Sequence, residues 1–210
     1  MNHLRGKFIV FDGGEGCGKS TQAAMLDAAL QKAGVPTLLV RDPGSTHIGE
    51  KIRAILLDPQ HDRMSMRCEM LLYMAARAQM VKELIEPALA AGKCVICDRF
   101  ITSTLAYQLG GEGLTAEEIH RVGQVAVGGR WPDLTILLDM PVDRSAARLN
   151  RQRDRIEQRP DEYHQRVREN YLQQGRQHEK KMRIIDADRD REAIHADVMR
   201  LLGQMNDDWV

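Results

Sequence analysis

Eight residues near the start of the chain, Gly13-Gly14-Glu15-Gly16-Cys17-Gly18-Lys19-Ser20, constrain the fold more than any other stretch. They fit G-x-x-x-x-G-K-[ST]. They stand between an apolar run at 7–11 (KFIVF) and a segment where Ala23, Leu26, Leu30 and Ala33 recur at helical spacing. Strand, glycine-rich turn and helix in that order are the context that gives the pattern its meaning. Glycines let backbone amides turn inward around phosphate oxygens, and a helix N-terminus adds the positive end of its dipole. The expected triphosphate-binding set is therefore Gly13, Gly14, Glu15, Gly16, Cys17, Gly18, Lys19, Ser20 and the adjoining Thr21. Lys19 is expected to reach the β- and γ-phosphates, and Ser20 to offer its hydroxyl to Mg2+.

The rest of the chain repeats this alternation. Further strands are expected at 37–40, 94–97, 134–138 and 183–185. Helices are expected at about 49–57, 66–91, 116–127 and 192–205, and the stretch after Asp98 reads as a polar, active-site-like segment. Near-continuous apolar strands separated by helices indicate a parallel sheet covered on both faces. The fold expected is α/β: a P-loop NTPase three-layer sandwich around a central five-stranded parallel sheet. With 210 residues and no repeat or low-complexity linker, one domain spanning 1–210 is expected.

Thirty basic residues balance thirty acidic ones. A chain that binds nucleic acid through bulk charge should be basic, so a nucleic-acid partner is not expected and any anion meets a local site. No run approaches the ~18 apolar residues of a membrane span, and residues 1–7 lack a signal peptide's apolar stretch. Cys94 and Cys97 have C-x-x-C spacing, but strand alternation puts them on opposite faces and no second pair accompanies them. With Cys17 and Cys68 they read as ordinary thiols of a reduced, cytoplasmic protein.

A Mg2+-coordinating carboxylate should follow an apolar strand. Asp98 and Asp139 both qualify, and the polar stretch after Asp98 favours it. The P-loop holds no arginine, so a cation for the transferring phosphoryl group must come from elsewhere. Six arginines fall within residues 144–159, and Arg144/Arg148 and Arg151/Arg155/Arg159 recur every four residues. One reading is a solvated helix face partly neutralised by Asp143, Asp154 and Glu157. The other is a lid, about 144–160, that brings arginines onto the phosphates. The guanine-reading Asn-Lys-x-Asp is missing, and a small acceptor for a kinase fits the remaining features.

At this point the residues resemble one family, the thymidylate (dTMP) kinases, and in particular bacterial members with an arginine-bearing lid. Residues 98–108, DRFITSTLAYQ, are similar to that family's D-R-[FYH]-x-x-S-[ST]-x-A-Y-Q signature. Arg41-Asp42-Pro43-Gly44 resembles its R-E-P-G turn with Asp42 for Glu, and 69–77 (EMLLYMAAR) its E-x-L-L-[FY]-x-A-x-R helix. Residues 132–135 (PDLT) and 154–157 (DRIE) match two more of its motifs, in order, over nearly the whole chain.

The resemblance implies phosphorylation of dTMP to dTDP by ATP with Mg2+, in dTTP biosynthesis, by a chain that commonly works as a homodimer. It implies that Tyr73 stacks on thymine and that Arg77 donates to O4. Gln108 would read N3–H and a carbonyl, Thr104 would help at the base edge, and Tyr107 would crowd the sugar's 2′ side. Arg53 and Arg99 would hold the acceptor phosphate, and Glu15 would meet the 3′-hydroxyl. On the donor side Arg148 would pack on adenine, with Ala187-Asp188 nearby. Asp98 would serve Mg2+ with Ser20, and Arg155 would be the lid arginine on the phosphates. The lid is shorter than in some relatives, which leaves Arg151 and Arg153 as alternatives, and Arg159 stands where an acid is common. Outside this family, a P-loop kinase for a nucleoside or shikimate hydroxyl would require Glu15 as a base, and a regulatory module would bind ATP alone.

Overall fold

Five short runs of β-branched and aliphatic residues meet side by side in the computed structural model, which describes residues 1–148 and 152–205. The strands are β1 (Phe8–Gly13), β2 (Thr37–Arg41), β3 (Cys94–Asp98), β4 (Leu134–Asp139) and β5 (Met182–Asp186). All pair in parallel, in the order β2-β3-β1-β4-β5. This is the five-stranded parallel sheet expected. Parallel strands need crossovers, and helices supply them: α1 (Lys19–Lys32), α2 (His47–Leu57), α3 (Met66–Met80), α4 (Glu86–Ala90), α5 (Ile101–Gln108), α6 (Ala116–Val127), α7 (Val142–Ala147), α8 (Asp161–Gln177) and α9 (Arg191–Gly203).

Strand alternation sorts the core into two layers. Ile9, Phe11, Ile96, Ile136 and Leu138 pack with Leu26 and Leu30 of α1 and with Ile194, Val198 and Leu202 of α9. Phe8, Val10 and Val95 turn to the other face, against Met70, Met74, Phe100, Ile101 and Ile119. Cys94 belongs to the first core and Cys97 to the second, as alternation requires. Burial pushes the Cys94 thiol up to about 12 and Cys97 in the same direction, so both are inert thiols.

The structure departs from the sequence reading in four places. The segment after Asp98 is a helix, α5, rather than a polar loop. The helix expected over 66–91 is interrupted by a π-helical turn, Val81–Ile85, between α3 and α4. A long helix, α8, lies where none was read. Finally, Arg155 and Arg159 lie in turns rather than on a helix, so the four-residue spacing there has no helical face to describe. Arg151 lies outside the described residues. Among the described residues, no helix is long and apolar enough to cross a membrane.

Candidate active site

The C-terminal ends of β1, β3 and β4 lie together at the point where the crossovers run to opposite sides of β1, the usual place for a ligand in an open parallel sheet. The chain leaves β1 through Gly13, whose φ is +140°. A Cβ there would lie 2.4 Å from the Leu138 carbonyl oxygen, so only glycine fits between the strands. Lys19 opens α1, and its ammonium rests on the Gly14 carbonyl at 2.5 Å and on Cys17 Sγ at 3.6 Å. The Ser20 hydroxyl donates to Asp98 at the end of β3. Asp139 is taken instead by a bidentate Arg168, both contacts at 2.8 Å, which leaves Asp98 as the carboxylate beside the loop.

Arg99 follows β3 with φ +71°, a costly conformation for a residue with a Cβ. That backbone directs its guanidinium across the loop. It donates to the Gly13 carbonyl (2.9 Å), Ser103 (3.1 Å), Tyr171 (3.2 Å), Tyr107 (3.1 Å) and Glu15 (2.7 Å). Both Arg99 and the Tyr107 hydroxyl place their bonds on one Glu15 oxygen, Oε1. Burial alone would raise the Glu15 carboxyl, but the charges of Arg99 and Lys19 and the two hydrogen bonds hold it down at about 2. Beneath them Asp12 is fully buried and accepts from Thr102, Ser103 and Tyr171.

Three hollows open around this centre. The first, about 550 Å³, is lined by Glu15, Arg53, Tyr73, Arg77, Arg99, Thr104, Tyr107 and Gln108, joined by Asp42, Leu57 and Asp154. All eight residues expected for the acceptor nucleotide therefore share one cleft. The second, about 620 Å³, shares Glu15 and Tyr107 with it and adds Gly14, Asp139, Arg153 and Arg168. The third, about 950 Å³, runs from Gly16, Gly18 and Thr21 to Arg148, Arg189 and Arg191. Arg148 there donates to the Ala187 carbonyl at 3.3 Å and lies 3.6 Å from Asp188.

Side-chain partners refine several expectations. Arg77 is fully buried, with Nε on Asp42 at 2.5 Å, Nη1 on Thr104 and the Met74 sulfur, and Nη2 on the Phe100 carbonyl. Four acceptors surround it, so one N–H of its five remains for a ligand. Arg53 donates to the Pro43 carbonyl at 3.0 Å. The Tyr73 hydroxyl is pushed upward by burial, which keeps the phenol neutral. Gln108 commits one amide N–H to Glu69, and its buried oxygen has no hydrogen-bond partner among the described residues.

Arg155 is not brought to the P-loop. Its guanidinium is buried, with Nε on the Leu56 carbonyl (2.8 Å) and Nη2 on Glu69 (2.6 Å), because that buried carboxylate demands a counter-charge. Arg153, by contrast, is exposed and lines the hollow with Gly14 and Glu15. Sequence reasoning assigned no role to Asp12, Asp42, Glu69 or Tyr171. Tyr171 carried a faint signal, since Tyr163, Val167 and Tyr171 recur every four residues in an otherwise polar stretch.

Comparison with known proteins bears directly on this arrangement. The thymidylate kinase family model matches residues 11–198. The chain belongs to the thymidylate kinase family. A thymidylate kinase of Pelotomaculum thermopropionicum is 42% identical over 207 residues, covering 97% of this chain and 96% of the relative. One of Halothermothrix orenii is 44% identical over 200 residues, covering 93% and 95%. The crystal structure of thymidylate kinase from Ehrlichia chaffeensis superposes with a TM-score of 0.80 at 29% identity, over 95% of this chain and all of that one. As a family member the chain is a dTMP kinase, an enzyme that phosphorylates dTMP to dTDP with ATP.

Proposed function

We propose that this thymidylate kinase transfers the γ-phosphoryl group in line, without a general base, between ATP on the P-loop and dTMP in the Tyr73–Gln108 cleft. The supporting observation is the convergence of all eight acceptor residues on one cleft that meets the P-loop at Glu15 and Arg99. The acceptor is a phosphate whose second pKa is about 6, so it is already mostly dianionic at neutral pH and needs no base to take a proton. Catalysis then consists of placing two anions together and neutralising the charge that builds between them.

On this reading Arg53 and Arg99 hold the acceptor phosphate, and Lys19 and the P-loop amides hold the donor. Arg153 is the lid arginine, on the segment 144–160 of this single domain. Tyr73 supplies a ring face for thymine, while Arg77, Thr104 and the Gln108 oxygen read its edge. Glu15 faces the 3′-hydroxyl, and Tyr107, tied to Glu15 and Arg99, crowds the 2′ side. Arg148 packs on adenine beside Asp188.

Ser20 and Asp98 fit Mg2+: a hydroxyl and a carboxylate are hard oxygen donors, and the ion keeps its other positions for water and phosphate oxygens. When bound, it would neutralise phosphate charge. Ile48, Ile55, Leu71 and Val125 are exposed on α2, α3 and α6, which pack side by side, and they support a homodimer through that face. The buried, inert thiols of Cys94 and Cys97 support a reduced, cytoplasmic setting.

The experiment is ADP release coupled to a reporter, with ATP and Mg2+, comparing dTMP with dUMP, dCMP, dGMP, AMP, thymidine and shikimate. Fast turnover on dTMP, weaker on dUMP and near background elsewhere, is expected. Turnover on thymidine or shikimate would transfer the acceptor role to a hydroxyl and require Glu15 as a base. ATP binding with no turnover on any acceptor would leave only the P-loop assignment.

A further inference from the structure

Glu69, on α3, takes no direct part in the chemistry above, yet it is a fully buried carboxylate with three charged or polar neighbours. Its Oε1 accepts from Gln108 Nε2 at 2.7 Å. Its Oε2 accepts from Arg155 and Arg159, each at 2.6 Å. Arg155 also holds the last turn of α2 through the Leu56 carbonyl. Glu69 thus joins α3, α5 and the turns at 154–159, and through Arg155 it reaches α2.

An amide can be rotated end for end at almost no cost in shape, which exchanges a donor for an acceptor. A carboxylate accepts hydrogen bonds and donates none, so Glu69 determines which end of Gln108 faces it. One amide N–H is committed to Glu69, and the buried oxygen is left without a hydrogen-bond partner among the described residues, in the wall of the acceptor cleft. An orphaned buried acceptor calls for a donor from the ligand. The N3–H of a pyrimidine imide supplies one. Cytosine has a bare, accepting N3 and would set two acceptors against each other.

We propose that Glu69 is a positioning residue for base selection, locking the Gln108 amide so that the cleft accepts imide pyrimidines and rejects aminopyrimidines. The inference rests on the dTMP-cleft reading. Arg155 and Arg159 hold the carboxylate in place from the lid side, so the seating of 154–159 and the reading of the base share one group.

The test measures kcat/KM for dTMP, dUMP and dCMP in the wild type, in Glu69→Gln and in Glu69→Asp. The aspartate keeps the charge that the two arginines need for folding but withdraws the oxygen from Gln108. Each variant is expected to lower the dTMP-over-dCMP ratio tenfold or more, mainly through KM for dTMP. In a Gln108→Leu background, Glu69→Asp should lower the ratio no further. Equal losses on dTMP and dCMP, or the same added loss in the Gln108→Leu background, would overturn the role and leave Glu69 a structural residue. A wild type that does not phosphorylate dTMP would instead overturn the cleft reading itself, a result visible before any variant is made.

Discussion

On the proposed reading, the two sides of the P-loop recognise their ligands by different means. On the proposed donor side a wide hollow is lined by Gly16, Cys17 and Gly18 of the loop and by surface arginines, Arg148, Arg189 and Arg191. On the acceptor side nearly every polar side chain is already bound to another: Arg99 to Glu15 and Tyr107, Arg77 to Asp42 and Thr104, Gln108 to Glu69. A backbone cradle suits a ligand part common to many nucleotides. A preorganised side-chain network suits one base and one sugar, because an ill-fitting ligand leaves buried polar groups unpaired. Substitutions should therefore propagate on the acceptor side and remain local on the donor side.

The sharpest contrast is between Arg99 and Arg148. Arg99→Ala should lower kcat roughly 10³-fold, the scale of losing a preorganised charge at a transferring phosphoryl group. Lys19→Ala should do the same from the donor side, with the fold intact by circular dichroism. Arg148 is partly exposed and holds only a carbonyl and Asp188, so Arg148→Ala should cost about tenfold or less, mainly in KM for ATP. Near-normal kcat in Arg99→Ala, or equal losses at both arginines, would erase the distinction.

A smaller effect separates two neighbours in the lid. Arg153 is exposed beside Gly14 and Glu15, whereas Arg155 is buried against Glu69. Arg153→Ala should lower kcat about 10²-fold with Tm unchanged. Arg155→Ala removes one of two counter-charges from a buried carboxylate, which should cost about 2 kcal/mol and lower Tm by roughly 5 °C. Its kinetic effect should appear in KM for dTMP. The reverse pattern, in steady-state kinetics and thermal melts, would place Arg155 on the phosphates and require 154–159 to rearrange during turnover.

Legibility followed the same division. The strands and the P-loop could be read because buried parallel strands are continuous apolar runs and the loop's chemistry lies in consecutive residues. Helix α5 was hidden because Thr102, Ser103 and Thr104 look like a loop. In the fold those hydroxyls turn inward, to Asp12 and Arg77, and serve as buried partners. Helix α8 was hidden because only a thin line of Tyr163, Val167 and Tyr171 is apolar in a strongly polar stretch. Family resemblance named eight residues for the acceptor, and they line one cleft. It could not supply their orientation, since the end of Gln108 that faces a ligand depends on Glu69, and the reach of Arg155 depends on the same carboxylate.

Glu15 sits on the seam, in the P-loop by sequence but bound to Arg99 and Tyr107 of the acceptor side. Its ordinary value is 4.5, and in the fold, against the cost of burial, Arg99 and then Lys19 hold it at about 2. A folded-state value below the unfolded one means stability that is complete above about 4.5 and lost as pH falls toward 2. The contribution is up to about 3 kcal/mol at neutral pH. Urea midpoints at pH 7, 4.5 and 3 should therefore converge for the wild type and Glu15→Gln as the medium is acidified. The same comparison in Arg99→Ala and Lys19→Ala backgrounds decides to which side the carboxylate belongs. Loss of the pH dependence mainly with Arg99 would make Glu15 part of the acceptor network, because the charge that holds its proton off comes from there. Loss mainly with Lys19 would return it to the donor loop and move the boundary between the two modes of recognition.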